Sequence, residues 1–246
     1  MAVIYSKQSL HSHYQVRTAG QTVRLYSNGV LHSQFNPSNA ISGAIWDLLL
    51  LPGFLLNTPP KNILLLGLGG GTLVHLIRLF FPCAHITCIE LDKEHIKIAK
   101  TFFKIPRKNV TVIHGDAYVE MKKIKQKFDW IIDDVFQHVN GEPERGCDAH
   151  RLVKTYERHL AKHALLSLNV IGKRQLEGIK PLIDEFDHAV QFLHPVYENK
   201  IVALFNSGGN KKGFKSKLSE FKALNETRKT CRLNYSLRVM KAAKGQ

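Results

Sequence analysis

Two patterns of hydrophobic and polar positions divide the chain near residue 57. Before it, short segments alternate polar and apolar residues, as half-buried strands do, and turn signals separate them. Asn28-Gly29 lies between two such segments and predicts a hairpin, because both residues tolerate positive φ. Residues 41–51 then have the character of a helix that ends at Pro52-Gly53. We therefore predict a small N-terminal β-meander and a helix over residues 1–56.

After residues 57–60, a Pro-containing linker, continuous apolar runs alternate with helical segments. Such runs are expected of strands that are buried on both faces of a parallel sheet, and helices between them predict βαβ units. The predicted strands are 62–66, 86–89, 110–113, 128–132, 164–170, 190–193 and 201–205, and the predicted helices are 72–81, 93–103, 117–123, 149–161 and 174–186. The fold class is therefore α/β, a Rossmann-like doubly wound seven-stranded sheet over residues 57–207.

Excess positive charge is concentrated in the part of the sequence that follows this predicted sheet. The chain has 246 residues, with 35 Lys and Arg against 20 Asp and Glu. Residues 206–246 hold eleven basic and two acidic residues, whereas residues 90–205 are nearly balanced. We treat residues 208–246 as a basic C-terminal extension that favours contact with RNA or an acidic protein. A solvated surface that keeps the protein soluble explains the same charge.

The composition excludes several classes of protein. Hydrophobic residues make up 44% of the chain, so disorder is not its main state. The four cysteines lack paired spacing and the histidines lack metal-ligand spacing, so we predict no metal site. Asp47 and Pro52-Gly53 interrupt the longest apolar run, so no membrane span is expected. Without a signal-peptide pattern, we expect a cytoplasmic protein, and a homodimer is compatible with these observations.

A glycine-rich turn, Gly67-Leu68-Gly69-Gly70-Gly71, follows the first buried strand. Glycines let the backbone turn tightly and approach a ligand, and the following helix offers free N–H groups. Thr72 stands where a dinucleotide fingerprint needs Gly or Ala, whereas G-x-G-x-G is typical of folds that bind S-adenosylmethionine. Alone, the same turn is also an ordinary tight connection from strand to helix.

Acidic residues stand at the ends of the next three predicted strands. Glu90 is placed to accept hydrogen bonds from both ribose hydroxyls, or is a helix N-terminal charge, for which Asp92 is the better capping residue. Asp116 suits an adenine amine or an N-cap, and Asp133 and Asp134 end the fourth strand. Because the carboxyl ends of parallel strands meet at one edge, we expect these residues to line one crevice. The predicted cofactor contacts are Gly67, Leu68, Gly69, Gly71, Glu90, Leu91, Asp116 and Ala117.

These segments resemble the spermidine synthase-like branch of the class I S-adenosylmethionine-dependent methyltransferases. The resemblance runs from the meander to about Gln137 and includes F-D-x-I-I-x-D, here residues 128–134. It implies a class I methyltransferase type of sheet, with S-adenosylmethionine or decarboxylated S-adenosylmethionine as the cofactor. It also implies that Asp134 is the catalytic group that deprotonates or orients the acceptor, with Gln137 and Asp133 as substrate contacts. The alternative is that Asp134 is a structural acid in a degenerate site.

Departures from the family pattern bear on the reaction. Gly70 stands where aminopropyltransferases have an aspartate that discriminates for the ammonium group of the decarboxylated cofactor, and Gln137 replaces a second aspartate. Residues 1–89 hold one acid, whereas a cationic polyamine needs acidic groups around it. We therefore expect a methyltransferase with an unknown acceptor. The alternatives are a polyamine aminopropyltransferase and a non-catalytic binding protein on a degenerate transferase fold.

Overall fold

Four antiparallel strands open the chain in the computed structural model, which describes residues 1–139, 142–145, 149–207, 211–224 and 233–240. They are β1 (Ala2–Gln8), β2 (His13–Ala19), β3 (Thr22–Ser27) and β4 (Val30–Phe35), and they pair in sequence order. Asn28 and Gly29 have φ of 50° and 79°, which confirms the predicted hairpin. The sequence analysis did not predict β1, because this strand is exposed at nearly every position and carries no alternating pattern.

The helix after the meander is shorter than predicted. It is α1 (Ile45–Leu50), followed by a 3-10 helix (Leu51–Leu55) that contains Pro52. Residues ahead of α1 form a turn instead, because Asp47 Oδ2 accepts hydrogen bonds from the backbone N–H groups of Ser42 and Gly43 at 2.9 and 2.5 Å. Burial raises the pKa of the Asp47 carboxyl to about 7.

An eight-stranded sheet forms the centre of the main domain. Its strands are β5 (Asn62–Leu66), β6 (His85–Glu90), β7 (Val110–His114), β8 (Phe128–Asp133), β11 (Leu160–Ile171), β12 (His188–Leu193), β13 (Asn199–Phe205) and β14 (Ser236–Met240). Their order is β14-β12-β13-β11-β8-β5-β6-β7. The seven predicted strands are all present, and the predicted fold class is confirmed. The eighth, β14, adds antiparallel to β12 at one edge.

Helices connect the strands on both faces, and a small hairpin follows β8. The helices are α2 (Thr72–Phe80), α3 (Lys93–Thr101), α4 (Ala117–Met121), α5 (Ala149–His159), α6 (Gly172–Gly178), α7 (Lys180–Ile183) and α8 (Lys211–Ser219), and the hairpin is β9 (Gln137–Val139) with β10 (Glu142–Glu144). The helix predicted over 174–186 is divided into α6 and α7, because Pro181 cannot donate the hydrogen bond that would continue it. In the described part of the chain, no helix is long and apolar enough to cross a bilayer.

Two hydrophobic clusters cover the two faces of the sheet. The larger one joins the meander, α1, α2 and the sheet, and it extends to Phe214 and Leu218 of α8. Phe214 is 2% exposed, and its ring centroid lies 5.5 Å from that of Phe192 on β12. The segment that the sequence analysis set apart as residues 208–246 therefore contributes a helix and an edge strand to the main domain.

Candidate active site

The carboxyl ends of four neighbouring parallel strands meet at one edge of the sheet. β8, β5, β6 and β7 lie side by side, and the residues at their ends are Asp133, the glycine loop from Gly67, Glu90 and His114. This neighbourhood is the one that the sequence analysis predicts for the cofactor crevice. Its geometry follows from the strand order, since adjacent parallel strands bring their connections to the same edge.

The glycine loop is held against two other parts of the chain. Gly67, Gly69 and Gly71 have φ of 88°, 53° and 89°, a region that glycine adopts without strain. A Cβ on Gly67 would lie 2.7 Å from the carbonyl oxygen of Asp134, so the loop packs directly against the backbone that follows β8. On the other side, Ser33 Oγ of β4 accepts a hydrogen bond from Gly70 N at 2.6 Å. The meander is therefore part of the wall of the loop.

Glu90 is buried and joins its strand end to the glycine loop. Its Oε2 accepts hydrogen bonds from the backbone N–H groups of Leu68 and Gly69 at 2.8 and 2.9 Å. Its Oε1 accepts from Asp92 N at 2.8 Å. Glu90 therefore links its strand end to the glycine loop, and its predicted contact with ribose hydroxyls stays a prediction. Leu91, the next predicted contact, is 56% exposed beside it.

Asp92 and Asp116 are the N-caps of the two helices that follow β6 and β7. Asp92 Oδ1 accepts from Glu94 N at 2.8 Å, as expected for the better capping residue. Asp116 Oδ1 accepts from the backbone N–H groups of Tyr118 and Val119, so its capping role is confirmed. An additional contact between Asp116 and an adenine amine stays a prediction, as does that of Ala117 at the start of α4.

Asp134 lies directly after β8, and its side chain is half-buried. Asn169 Nδ2 of β11 donates a hydrogen bond to Asp134 Oδ1 at 2.8 Å. Burial raises the pKa of Asp134 to about 7, and the charges of Asp133 and Glu90 raise it further. The hydrogen bond from Asn169 and the positive charge of Arg145 oppose that shift. A carboxyl group with such a pKa exchanges its proton near neutral pH.

Asp133 is the centre of a buried cluster beside Asp134. None of its surface is exposed, and its Oδ2 accepts hydrogen bonds from Tyr118, Tyr156 and Arg145. Its predicted contact with a substrate would require this cluster to open. Sequence reasoning missed Arg145 and both tyrosines, because they lie on α4, α5 and a loop, at separations that follow no motif.

Gln137, the other predicted substrate contact, lies in β9. Its side chain lies outside the described residues, so its predicted role stays a prediction. Within the part of the chain that the structure describes, no group of three or more His, Cys, Asp or Glu side chains is arranged to hold a metal ion.

With this geometry in view, residues 48–159 match the family described as the spermine/spermidine synthase domain. The match covers 112 of the 246 residues of the chain. The matched region contains the glycine loop, Glu90, Asp116 and Asp134. The match therefore confirms that this region is similar to the spermidine synthase-like proteins, as its motifs imply.

The regions that align with this chain cover only part of each curated relative. A polyamine aminopropyltransferase from Vibrio vulnificus is 33% identical over 134 residues, which are 52% of this chain and 44% of the relative. One from Chromobacterium violaceum is 32% identical over 87 residues, 34% of this chain and 33% of the relative. An eEF1A lysine and N-terminal methyltransferase from Danio rerio is 46% identical over 44 residues, 18% of this chain and 6% of the relative. The chain thus spans less than half the length of these relatives.

Solved structures share the fold. A probable spermidine synthase from Corynebacterium glutamicum superposes with a TM-score of 0.77 at 19% identity, over 100% of this chain and 95% of that one. Human methyltransferase-like protein 13 in complex with SAH superposes with a TM-score of 0.56 at 19% identity, over 78% of this chain and 92% of that one. Spermidine synthase-like proteins and a methyltransferase therefore have the same architecture, and this likeness concerns the fold alone.

Proposed function

We propose that this chain transfers an alkyl group from an adenosyl sulfonium donor to an amine, with Asp134 as the proton acceptor. The observation that carries the proposal is the position of Asp134, which follows β8 against the glycine loop and accepts a hydrogen bond from Asn169 at Oδ1. Desolvation raises the pKa of this carboxyl group to about 7. A base with a pKa near the working pH combines a useful ionised fraction with a strong affinity for the proton. An amine that attacks a carbon atom must lose a proton, and Asp134 is placed to take it.

The chain's own residues support each part of this reaction. When bound, the donor supplies a carbon atom that is activated by a positively charged sulfur. The backbone of the glycine loop, whose N–H groups are held by Glu90 and Ser33, forms the wall on which that donor would lie. Asn169 occupies Asp134 Oδ1 by a hydrogen bond, which leaves Oδ2 to face the acceptor amine. The new C–N bond forms as the C–S bond breaks, the sulfur becomes a neutral thioether, and the amine proton passes to Asp134.

Aminopropyl transfer is the first candidate reaction. Most curated relatives are named polyamine aminopropyltransferases and a few are methyltransferases, so the comparisons favour the alternative of the sequence analysis over its main expectation. The charge argument against a polyamine also weakens at the level of the site. Acidic groups line the strand ends, and the basic side chain among them, Arg145, is paired with Asp133.

Methyl transfer is the second candidate, and the surroundings of Gly70 favour it. A Cβ at this position would lie 2.7 Å from the Phe103 ring and 2.7 Å from Ser33 Cβ. An aspartate at this position, as in the aminopropyltransferase pattern, would therefore require Phe103 and Ser33 to move. If that aspartate selects the decarboxylated donor, its absence favours the intact donor, S-adenosylmethionine.

A two-donor assay tests the proposal and separates the two reactions. The protein is incubated with a panel of amines that includes putrescine. The donor is either decarboxylated S-adenosylmethionine or methyl-labelled S-adenosylmethionine, and mass spectrometry identifies the products. Asp134→Asn should lower turnover by about 100-fold or more and leave the calorimetric affinity for the donor within a few fold. Asp187→Asn, on an exposed aspartate, is the matched control.

The products decide between the candidates. An aminopropylated amine supports the first and a methylated amine supports the second. Donor binding without transfer to any amine would overturn both and favour a non-catalytic binding protein. Turnover that Asp134→Asn leaves unchanged would remove Asp134 from the mechanism.

A further inference from the structure

A chain of polar contacts leads from Arg145 through Asn169 to Asp134. Arg145 Nη1 donates a hydrogen bond to the backbone carbonyl of Asn169 at 2.6 Å. The side chain of the same Asn169 donates from Nδ2 to Asp134 Oδ1 at 2.8 Å. Asn169 is 3% exposed and Arg145 keeps 6% of its side chain exposed, so water competes little with either contact. Asn169 thus contacts the Asp134 carboxyl directly, and Arg145 holds the backbone of Asn169.

A third residue fixes the orientation of the Asn169 amide. Asn199 Nδ2 of β13 donates to Asn169 Oδ1 at 2.9 Å. An asparagine amide has a donating and an accepting end, and a partner at the accepting end determines where the donating end points. Because Asn199 occupies the oxygen, the NH₂ group of Asn169 faces Asp134. The contact to Asp134 is therefore built into the β11–β13 pair.

The positive charge of Arg145 acts on both Asp133 and Asp134. Arg145 Nη2 pairs with Asp133 Oδ2, which also accepts from the hydroxyl groups of Tyr118 and Tyr156. Asp133 and Asp134 are adjacent carboxyl groups at the end of β8, and two like charges at such a distance in a buried place oppose each other's ionisation. The guanidinium group offsets that repulsion because it is held in the same low-dielectric environment.

We propose that Arg145 and Asn169 are positioning residues for Asp134: Asn169 holds Oδ1 so that Oδ2 meets the acceptor, and Arg145 offsets the charge of Asp133. This inference rests on the proposed function for the role of Asp134 as a base. The charged and titratable groups around Asp134 are Asp133, Arg145 and Glu90, and behind Asp133 the phenols of Tyr118 and Tyr156. Arg145 is the positive group in this set, so its removal has a defined sign.

The sign follows from the directions of the individual effects. Arg145 and the hydrogen bond from Asn169 lower the pKa of Asp134, whereas Asp133 raises it. Loss of Arg145 leaves Asp133 uncompensated, so the pKa of Asp134 rises and the base becomes protonated at neutral pH. Loss of the Asp133 charge has the opposite effect. A residue that only stabilised the fold would not raise or lower the pKa of Asp134 in these directions.

A titration that does not depend on activity tests this proposal. The protein is labelled with ¹³C at the aspartate carboxyl carbons, and the Asp134 signal is assigned by its loss in Asp134→Asn. Arg145→Met should move the midpoint of Asp134 upward by about one pH unit or more, a roughly tenfold gain in proton affinity. Asn169→Ser should move it in the same direction by less, and Asp133→Asn should move it downward.

Arg174→Met is the matched control. Arg174 pairs with Glu144, the residue beside Arg145, but its side chain is 75% exposed and lies outside the buried cluster. The variant removes a positive charge from an exposed ion pair with the neighbouring residue, Glu144. The titration midpoint of Asp134 should therefore stay within about 0.2 pH unit of the wild-type value. If Arg145→Met does not fold, the downward shift expected in Asp133→Asn still decides the outcome, because it needs no loss of Arg145.

Two results would overturn the inference. One is an Asp134 midpoint that Arg145→Met leaves in place or moves no further than Arg174→Met does. The other is an upward shift in Asp133→Asn. If transfer activity is found, the acid limb of its pH profile should move with the NMR midpoint in each variant. Midpoints that shift as expected in a protein that transfers no alkyl group would overturn the proposed function and leave the link between Arg145 and Asp134 intact.

Discussion

Asp134 is a carboxyl group whose surroundings oppose its charge, and that opposition affects folding as well as chemistry. Its pKa is raised from 3.8 to about 7, so the folded protein holds a proton that the unfolded chain releases at lower pH. Stability therefore falls as the pH rises from about 4 to about 7, and above that range the cost of the buried charge is complete. A functional base and a stable core make opposite demands on this position.

Asp134→Asn should consequently stabilise the protein at pH 8, by up to about 4 kcal/mol, because the amide carries no charge to bury. The difference from the wild type should shrink toward zero near pH 4, where the native carboxyl is already neutral. Denaturant unfolding at both pH values measures it, with Asp187→Asn as the exposed control. A difference that is the same at both pH values would contradict the raised pKa.

Gly70 offers a second test at the residue scale. Gly70→Ala places a methyl group 2.7 Å from the Phe103 ring and from Ser33 Cβ, so we expect a loss of about 1–3 kcal/mol of unfolding free energy from overpacking. Gly178→Ala is the matched control, since nothing lies within 4 Å of its Cβ and α6 should gain up to about 1 kcal/mol. Equal effects in the two variants would show that the loop has room to adjust.

Residue roles that depend on local order can be predicted from the sequence, and those that depend on distant partners cannot. The caps Asp92 and Asp116 stand directly before helices, where a short acid meets free N–H groups. No local sequence pattern distinguishes the buried, paired Asp133 from Asp134, the proposed base. It depends on Tyr156 and Arg145, 23 and 12 residues away from Asp133, which only the packing of α5 and a loop brings close.

Among the elements, β4 has a second role beyond the meander. Ser33 accepts from Gly70 N, and the backbone N–H and carbonyl of Gln34 bond to Thr72 Oγ1 at 3.1 and 3.0 Å. Tyr14 of β2 donates to Asp92 Oδ2 at 2.7 Å. The sequence analysis separated residues 1–56 as a unit, because a linker and a change of pattern mark that boundary. These cross-contacts show that the unit and the glycine loop are built together.

The helix α8 tests whether the chain after residue 207 belongs to the main domain. Phe214 is 2% exposed against Phe192 and Tyr235, so Phe214→Ala should cost about 3–5 kcal/mol through the cavity it leaves. Lys215→Ala, at the next and exposed position, should change the unfolding free energy by less than about 0.5 kcal/mol. A single cooperative transition that shifts in Phe214→Ala supports one domain, whereas an unchanged main transition would show that α8 is an independent attachment.

Over the whole molecule, the excess of positive charge is concentrated in one part of the sequence. Acidic groups lie at the strand ends, whereas residues 206–246 hold eleven basic and two acidic residues. The net charge of +15 therefore describes residues 206–246 better than it describes the residues at the strand ends. The composition predicts this excess, but only the fold shows that part of the basic segment is tied down, since Lys217 Nζ donates to the carbonyl of Leu56.

The basic surface gives a prediction about polyanions. Binding of a single-stranded RNA oligonucleotide, followed by fluorescence anisotropy, should weaken steeply between 50 and 200 mM salt, as counterion release requires. The double variant Lys212→Glu/Lys215→Glu should bind several-fold more weakly with a shallower salt dependence. Lys100→Glu/Lys173→Glu makes the same charge change on α3 and α6 and should have a smaller effect. Equal effects of both double variants would assign the binding to net charge alone.

The edge strand β14 has a consequence for how the protein is made. It pairs with β12 from Ala189 to Leu193, yet it is synthesised after every other strand of the sheet. Until it arrives, β12 presents its backbone N–H and C=O groups unpaired, which is the arrangement that recruits strands from other chains. A chain that ends before residue 236 would keep the rest of the sheet but leave this edge unpaired, so such a truncation should lower the yield of soluble protein.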